Sequence, residues 1–374
     1  MLNQKQVYEF LKKNDISFFT GVPDSYLNGF CNHLTNYHKD KNVIAANEGN
    51  AIAIAAGYYF STKKLPLVYF QNSGLGNSVN PLVSLVDENV YSVPMILLIG
   101  WRGQPGTTDW PQHYLQGQIT TSLLESMNIK YDILSDDIDD FRGILEKASS
   151  YCITNRKAFA ILSPKGVMDG EKMNEVSSDF ELTREEAIEI ILDNFPSDTI
   201  YCATTGRATR ELFFLRKRRN ENSNNDFLNV GSMGHASSVA LGIAIQKEDR
   251  DVVVLDGDSS AIMHMGSLTM ASKYNLPNYT HIILNNGVHE SVGGQPSAGF
   301  NVDFNMIAKG SGYFSLQKPV LKKEDLVNAI KIIRSKKQSG FIDIHINKGL
   351  KQNLPPLDFN HKEAIDSFIN NLNQ

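Results

Sequence analysis

The sequence predicts an α/β protein of two domains, each with a parallel sheet flanked by helices. Short runs of β-branched and other apolar residues alternate with helical segments along the chain, and this alternation is typical of parallel sheets. It is interrupted after Leu162 by a long polar stretch rich in Gly, Asp, Lys and Ser. We therefore predict domains at residues 1–165 and 183–374, joined by a linker at 166–182.

The first predicted domain contains six strands and the helices between them. Each strand is a short apolar run, as expected of buried parallel strands. Val7, Phe10 and Leu11 mark an amphipathic helix before the first strand. The predicted strands are Ile16–Phe19, Val43–Ala45, Pro66–Phe70, Pro94–Ile99, Ile129–Leu134 and Ala158–Leu162, and the helices are Asp24–Leu34, Glu48–Phe60, Val79–Val86, Gln116–Met127 and Ile138–Ser150.

The second predicted domain repeats this alternation without a literal sequence repeat. A capping box formed by Thr183 and Glu186 opens its first helix. The tail after Leu350 is predicted to be a surface segment. The predicted strands are Thr199–Cys202, Phe227–Val230, Val252–Leu255, Thr280–Leu284 and Phe341–Ile346, and the helices are Arg184–Asn194, Arg207–Leu215, His235–Ile245, Met263–Tyr274 and Lys323–Lys336.

The composition excludes several classes of protein. With 374 residues and 41% apolar residues, the chain is long enough for two full cores. Its net charge of -5 gives no reason to expect a nucleic-acid partner, and its longest apolar run, Val93–Trp101, is too short to span a bilayer. Three cysteines without C-x-x-C spacing fit a reducing compartment. We therefore expect a cytoplasmic protein with neither a membrane nor a nucleic-acid partner.

Two strands of the second domain are followed by residues that can bind a metal ion. Asp258 comes after Val252–Leu255, and Asn285 and Asn286 come after Thr280–Leu284. Doubly wound sheets bind ligands outside the carboxyl ends of their strands. Mg²⁺ prefers oxygen ligands and often completes its shell with phosphate oxygens, so a diphosphate is the implied ligand. Asp and Asn at such places also cap helices or form turns, and this pattern alone leaves that alternative open.

The spacing of these residues resembles the thiamin-diphosphate signature, in which G-D-G is followed about 25 to 30 residues later by N-N. This chain has Ser259 where the family usually has glycine. The resemblance implies thiamin diphosphate and Mg²⁺ as cofactors, with Asp258, Asn286 and the carbonyl of Val288 as metal ligands. Asn285 is the rival ligand if the loop is shifted by one residue.

The same resemblance implies the residues that contact the cofactor. A glutamate in the position of Glu48 hydrogen-bonds the aminopyrimidine ring in this family and promotes its imino form, and its partner is the diphosphate half of a second subunit. A homodimer or a dimer of dimers is therefore implied, with a pyrimidine-binding first domain and a diphosphate-binding second domain. The residues assigned to the cofactor are Glu48, Ser73, Gly74, Thr204, Thr205, Gly206, Gly231, Met233, Gly257, Ser259 and Ser260.

Further motifs look like those of phosphonopyruvate decarboxylases, with sulfopyruvate decarboxylases as their nearest relatives. The resemblance implies conversion of the small anionic 2-oxo acid 3-phosphonopyruvate to phosphonoacetaldehyde and CO₂ in phosphonate biosynthesis, through the cofactor's ylide. The motifs are T-G-V-P-D-S at 20–25, G-W-R-G-Q-P-G at 100–106, P-Q-H at 111–113 and N-G-V-H-E-S-V-G-G-Q at 286–295.

Four side chains are candidates for contact with a doubly anionic substrate. Arg102 can clamp an oxyanion, His113 and His289 can donate a hydrogen bond or a proton, and Asp24 follows a strand end and can relay protons. The glycines beside Gln295 suit a closing lid. A lone histidine, however, is more often a structural group.

Three other functions stay open at this level. One is sulfopyruvate decarboxylase, because sulfonate carries one negative charge where phosphonate can carry two, and the sequence does not decide between these substrates. A non-catalytic protein of the same fold would bind the cofactor without needing Glu48. A nicotinamide dehydrogenase is also conceivable for doubly wound sheets, but no G-x-G-x-x-G follows the first strand of either half.

Overall fold

The computed structural model describes residues 1–174, 178–349, 354, 357 and 360–374. Positions 175–177 of the predicted linker and much of the predicted surface segment after Leu350 lie outside the described residues. The chain forms two compact units. Unit 1 comprises Met1–Glu175 and His289–Gln295, and unit 2 comprises Val176–Val288 and Pro296–Gln374.

Unit 1 contains one six-stranded sheet in the order β2-β1-β3-β4-β6-β5, and every pairing in it is parallel. Helix α4 continues into a π-helix at Leu82–Val86. The strands are β1 (Phe19–Gly21), β2 (Asn42–Ile44), β3 (Leu67–Gln71), β4 (Met95–Gly100), β5 (Lys130–Ile133) and β6 (Ala158–Ser163), and the helices are α1 (Gln4–Lys13), α2 (Asn28–Tyr37), α3 (Glu48–Thr62), α4 (Leu75–Pro81), α5 (Pro111–Ser126) and α6 (Ile138–Asn155).

Unit 2 contains a second six-stranded parallel sheet, in the order β13-β14-β10-β9-β7-β8. The strands of this sheet are β7 (Ile200–Ala203), β8 (Asp226–Leu228), β9 (Val252–Gly257), β10 (Tyr279–Asn285), β13 (Phe314–Ser315) and β14 (Gly340–His345). Two short strands, β11 (Val288–His289) and β12 (Gln295–Pro296), pair with each other in a separate two-stranded sheet. The helices from α7 onward are α7 (Arg184–Asn194), α8 (Arg207–Arg218), α9 (Ala236–Ala244), α10 (Asp258–Met263), α11 (Ser267–Tyr274), α12 (Phe304–Gly310), α13 (Lys323–Arg334) and α14 (His361–Leu372).

The two sheets share one strand order. Read from β8, the second sheet runs β8-β7-β9-β10-β14-β13, which matches β2-β1-β3-β4-β6-β5 strand for strand. In each sheet the second strand along the chain lies on one side of the first strand, and the later strands lie on its other side. The switch point is therefore between β1 and β3 in one unit and between β7 and β9 in the other. Ligands of doubly wound sheets bind at such points. Each unit therefore has one predicted ligand crevice.

Both sheets are covered on their two faces by apolar side chains. Neighbouring residues of β3 alternate between two cores, with Tyr69 in one and Val68 and Phe70 in the other. In β9, Val253 and Val254 are divided in the same way. This follows from the two-residue period of a strand. The strands are thereby fixed in register, and their carboxyl ends are fixed in position.

Some helix boundaries differ from the predictions. Helix α2 begins at Asn28 rather than at Asp24, because the buried Asp24 carboxylate accepts the backbone N–H of Tyr26 in a turn. The predicted helix Met263–Tyr274 begins later, as α11 at Ser267, and a separate short helix that was not predicted, α10, precedes it at Asp258–Met263.

The prediction of a surface segment after Leu350 did not include helix α14. Its buried Phe368 and half-buried Ile365 and Leu372 pack against the core of unit 2, and their i, i+3, i+7 spacing was the available signal. Within the described part of the chain, no helix is both long enough and apolar enough to cross a membrane.

Candidate active site

Glu48 is the first residue of α3, directly after the turn that follows β2. The Asn47 side chain caps this helix by accepting the backbone N–H of Asn50 at 2.9 Å. Glu48 is buried, and Asn77 donates to its Oε2 at 2.7 Å. Burial raises the pKa of the Glu48 carboxyl, and the hydrogen bond from Asn77 opposes that rise. The result is a buried acid at a helix N-terminus that can share a proton with a ligand nitrogen.

A hydrogen-bonded chain connects the ends of β1 and β3. The Ser73 hydroxyl donates to Gln71 Oε1 at 2.8 Å, and Gln71 Nε2 donates to Asp24 Oδ1 at 2.6 Å. Asp24 is fully buried, and burial raises the pKa of its carboxyl. The structure thus brings the predicted residues Ser73 and Asp24 together through Gln71. Sequence reasoning did not single out Gln71, although it is the last residue of β3 and the first residue of the segment Q-N-S-G-L-G-N at 71–77, called here the glycine loop.

Arg102, two residues beyond β4, is held rigidly. Its backbone N–H donates to Asn72 Oδ1 at 3.1 Å, and its carbonyl accepts Asn72 Nδ2 at 2.8 Å. Asp109 engages the guanidinium through Nε, at 2.9 Å, and Nη2. Nη1 donates to the Ser25 hydroxyl at 3.2 Å. Two nitrogens of the predicted oxyanion clamp are therefore engaged by Asp109, which sequence reasoning missed.

The two predicted catalytic histidines are uncharged near neutral pH. His113 lies in the first turn of α5, where burial, followed by the nearby Arg102 guanidinium, lowers its pKa to about 4. Among the described residues, its buried Nδ1 has no hydrogen-bond partner. Burial also lowers the pKa of His289 to about 4. His289 begins the segment His289–Gln295, which belongs to unit 1 and is tied to it by a 2.6 Å hydrogen bond from Gln295 to Asn32.

In unit 2, three adjacent strands end in candidate ligand residues. Thr204 follows β7, Asp258 follows β9 and Asn286 follows β10, and these strands are neighbours in the sheet. The hydroxyls of Thr204 and Ser260 lie 2.9 Å apart, and the N–H of Gly234 donates to Ser260 Oγ at 3.1 Å. Ser260 therefore joins the predicted Thr204 loop to the loop at residues 231–235, whose sequence is G-S-M-G-H.

The other predicted cofactor residues lie in these same loops. Gly231 donates its N–H to Asn229 Oδ1 at 3.1 Å, and the half-buried Met233 follows two positions later. Thr205 and Gly206 precede α8, and Gly206 has a φ of 97°, which favours glycine. This loop leads directly into the N-terminus of α8, and helix N-termini can bind anions.

Asp258 and Asn286 lie side by side. The Asp258 carboxylate accepts the backbone N–H of Asn286 and the hydroxyl of Ser297. Asn286 Oδ1 accepts the N–H of Val288 at 3.2 Å, so the three predicted metal ligands are in one small region. Asn285, the rival ligand, is fully buried and its Nδ2 donates to the carbonyl of Gly299 at 2.9 Å.

The region around Asp258 has properties that suit a metal ion together with an anionic ligand. Burial raises the pKa of the Asp258 carboxyl to about 6, although hydrogen bonds oppose the rise, so a nearby cation would favour its ionised form. In the described ranges, the Ser259 hydroxyl is buried without a hydrogen-bond partner, and a methyl group at Gly257 would meet no atom within 4 Å. Unused polar atoms and open space fit a hydrated or phosphate-bound metal ion.

The expected metal ligands are one carboxylate, one amide oxygen and one backbone carbonyl, and not a cluster of acidic and histidine side chains. The described residues contain no group of three or more His, Cys, Asp or Glu side chains that could hold a metal. One carboxylate, one amide oxygen and one carbonyl leave positions for phosphate oxygens and water, as Mg²⁺ sites commonly do. The residues present therefore fit Mg²⁺ held jointly with a diphosphate.

Comparisons with known proteins agree with this geometry. Residues 3–124 match the N-terminal TPP binding domain of thiamine pyrophosphate enzymes, and residues 205–344 match the C-terminal TPP binding domain. Two phosphonopyruvate decarboxylases, from Streptomyces viridochromogenes and Streptomyces hygroscopicus, are each 34% identical over 314 residues, which is 80% of this chain and 77% and 76% of those proteins.

A third relative covers almost the whole chain at lower identity. The sulfopyruvate decarboxylase of Methanosarcina acetivorans is 26% identical over 389 residues, which is 98% of this chain and 96% of that protein. The first matched range contains Glu48 and the second contains Asp258. The chain belongs to the thiamin-diphosphate-dependent decarboxylase family in which the phosphonopyruvate decarboxylases are found.

Proposed function

We propose that this enzyme is a phosphonopyruvate decarboxylase that converts 3-phosphonopyruvate to phosphonoacetaldehyde and CO₂ in phosphonate biosynthesis. The observation that carries the substrate assignment is the 34% identity to two phosphonopyruvate decarboxylases, against 26% to a sulfopyruvate decarboxylase. Thiamin diphosphate, when bound, supplies the nucleophile and the electron sink that loss of CO₂ from a 2-oxo acid requires. The residues described above position and tune that chemistry.

In the proposed site, unit 1 binds the aminopyrimidine ring. Glu48 donates or accepts a proton at a ring nitrogen, which its raised pKa favours. Ser73 and Gly74 line the adjacent loop. Because Gly74 has no side chain, the ring can approach the Glu48 carboxyl closely.

Unit 2 binds the diphosphate and the metal in this proposal. Thr204, Thr205, Gly206 and the hydroxyls of Ser259 and Ser260 supply donors for phosphate oxygens, as helix N-termini and hydroxyl loops commonly do. Gly231, Met233 and Gly257 form the surrounding surface. Mg²⁺ is held by Asp258, Asn286 and the carbonyl of Val288.

The substrate's acid groups are proposed to meet Arg102, His113, His289 and Asp24. Arg102 has a fixed guanidinium whose Nη1 donates to a neutral partner, the Ser25 hydroxyl. Neutral His113 and His289 can donate a hydrogen bond to an oxyanion without bringing a charge. Asp24, with its raised pKa, can hold a proton close to Gln71.

We further propose that the active enzyme is a homodimer or a dimer of dimers, with Glu48 of one subunit completing the diphosphate site of another. Two large apolar side chains of α5, Tyr114 and Leu115, are each 64% exposed. A second copy of the chain would remove this apolar surface from water.

The substrate assignment is tested by comparing kcat/KM for phosphonopyruvate and sulfopyruvate with Mg²⁺ and thiamin diphosphate present. We expect phosphonopyruvate to be preferred at least tenfold, because Arg102 and the neutral donors around it suit a second anionic charge. A preference for sulfopyruvate would overturn the assignment. Glu48→Gln should lose at least a hundredfold in kcat while still binding thiamin diphosphate. Cofactor binding without turnover of either acid by the natural protein would instead indicate a non-catalytic binding protein.

A further inference from the structure

Ser297 connects three separated pieces of unit 2. Its hydroxyl donates to Asp258 Oδ2, which lies 39 positions earlier in the chain, and accepts the N–H of Gly299 at 3.0 Å. Its own N–H donates to the carbonyl of Gly287 at 2.9 Å. One residue therefore links the start of α10 to the loop that follows β10.

Gly299 completes this connection from the other side. Its carbonyl accepts Asn285 Nδ2 at 2.9 Å. A methyl group at position 299 would lie 2.5 Å from both Asp258 Oδ2 and Asn285 Oδ1, which is closer than non-bonded atoms can approach. The backbone at Gly299 is thus packed directly against the two side-chain oxygens, and this segment is an integral part of the strand-end crevice.

Asn285 and Asp343 hold the segment that contains Ser297 and Gly299 against the end of β10. Asn285 Nδ2 also lies 3.3 Å from Asp343 Oδ1, and Asn285 Oδ1 accepts the N–H of Gly287 at 3.2 Å. Both residues are buried. Ser297 therefore contacts Asp258 as part of a hydrogen-bonded network. Its neighbours Gly287 and Gly299 are both hydrogen-bonded to the buried Asn285.

We propose that Ser297 is a positioning residue for the cation, with its hydroxyl fixing the orientation of the Asp258 carboxylate and Gly299 allowing the close approach. The inference rests on the proposed metal and diphosphate site. Outer hydrogen-bond partners of ligating carboxylates orient them, and their loss typically weakens metal binding by about 10-fold to 100-fold. Ser297 lies outside the G-D-S and N-N motifs, so no signature motif assigns it this role.

The test is Mg²⁺ affinity, measured by calorimetric titration of the full-length protein at saturating thiamin diphosphate. Ser297→Ala is expected to raise the Kd for Mg²⁺ by about 10-fold to 100-fold, with an unchanged melting temperature of the cofactor-free protein. Ser297→Thr, which keeps the hydroxyl, is expected to restore most of the affinity. An unchanged Kd in Ser297→Ala, or an equal loss in Ser297→Thr, would overturn the assignment.

A second pair of variants keeps the test decisive if Ser297→Ala does not fold. Gly299→Ala should weaken Mg²⁺ binding because its methyl group displaces the Asp258 carboxylate. Gly310→Ala is the matched control, since a methyl group there meets no atom within 4 Å. Equal Kd values for these two variants would contradict the inference. Failure of the natural protein to bind Mg²⁺ and thiamin diphosphate would refute the proposed function instead, so the two failures are distinguishable.

Discussion

Gly74 lies so close to Glu48 that the two positions cannot both carry a full side chain. A methyl group on Gly74 would lie 2.5 Å from Glu48 Oε1 and 2.5 Å from its Cδ. The glycine loop after β3 and the acid after β2 are therefore fitted to each other, across the strand β1 that separates them in the sheet.

Gly74→Ala is predicted to displace the Glu48 carboxyl. Because that acid is expected to contact the cofactor ring, kcat should fall at least tenfold, while the Kd for thiamin diphosphate changes less. Gly76→Ala, two positions later in α4, is the control, since a methyl group there meets no atom within 4 Å. Steady-state kinetics of both variants check this, and equal activity in the two would refute the steric argument.

Asp109→Ala is predicted to destabilise unit 1 by about 3 kcal/mol, because it leaves a largely buried guanidinium without its carboxylate. The side chains of Arg102 and Asp109 are 15% and 4% exposed. Asp109 also accepts the Tyr26 hydroxyl and the N–H of Gly103, each at 3.0 Å. Urea unfolding measures the loss.

The exposed pair Arg142 and Asp139 serves as its control. Its side chains are 49% and 70% exposed, and such surface pairs contribute about 0–1 kcal/mol. Asp139→Ala should therefore change the free energy of unfolding by less than about 1 kcal/mol. If both variants lose the same stability, the buried pair is not the anchor that its geometry indicates.

Glu186→Gln is predicted to lower stability in a pH-dependent way. The hydrogen bond from Lys323, followed by the backbone N–H of Thr183, lowers the pKa of Glu186 to about 2. An acid whose pKa is lower in the folded state than in the unfolded chain stabilises the fold at pH values above its unfolded pKa. That contribution is lost as the pH falls toward the folded-state pKa of about 2. Since the Glu186 side chain is 40% exposed, solvent screening reduces the contribution of its charge to the free energy of unfolding to about 1 kcal/mol or less.

Urea unfolding of the natural protein and of Glu186→Gln at pH 7 and pH 3 checks this prediction. The two proteins should differ at pH 7, and most of that difference should vanish at pH 3. A difference that is constant with pH would mean that the charge of Glu186 contributes nothing.

His113 is predicted to titrate near pH 4 in the cofactor-free protein. Burial disfavours its imidazolium form, and the Arg102 charge adds to that effect. Because this pKa is lower than in the unfolded chain, the group costs stability as pH falls from about 6.5 toward 4. NMR titration, with His113→Gln to assign the resonance, gives the midpoint. A value above 6 would exclude the neutral donor role.

The local sequence pattern was sufficient to predict where strands end and helices begin in several places. Strand β9 and helix α3 were predicted within a few residues, because an apolar run followed by a polar residue is a signal contained in one stretch of chain. The same pattern placed Glu48 at the beginning of a helix, as observed. It placed Asp258 directly after a strand but did not predict that α10 begins there. The shared strand order of the two sheets had no such signal, since it depends on which strands pair across long connections.

The sequence by itself determined two parallel-sheet domains and the polar residues that follow their strands, because periodicity and turn chemistry are encoded locally. Only the tertiary structure decided that Asp109 engages Arg102, that Gln71 joins Ser73 to Asp24, and that Ser297 reaches Asp258. These partners are set by the paths of loops between distant positions, and a hydrogen bond between such positions leaves no periodic pattern in the chain.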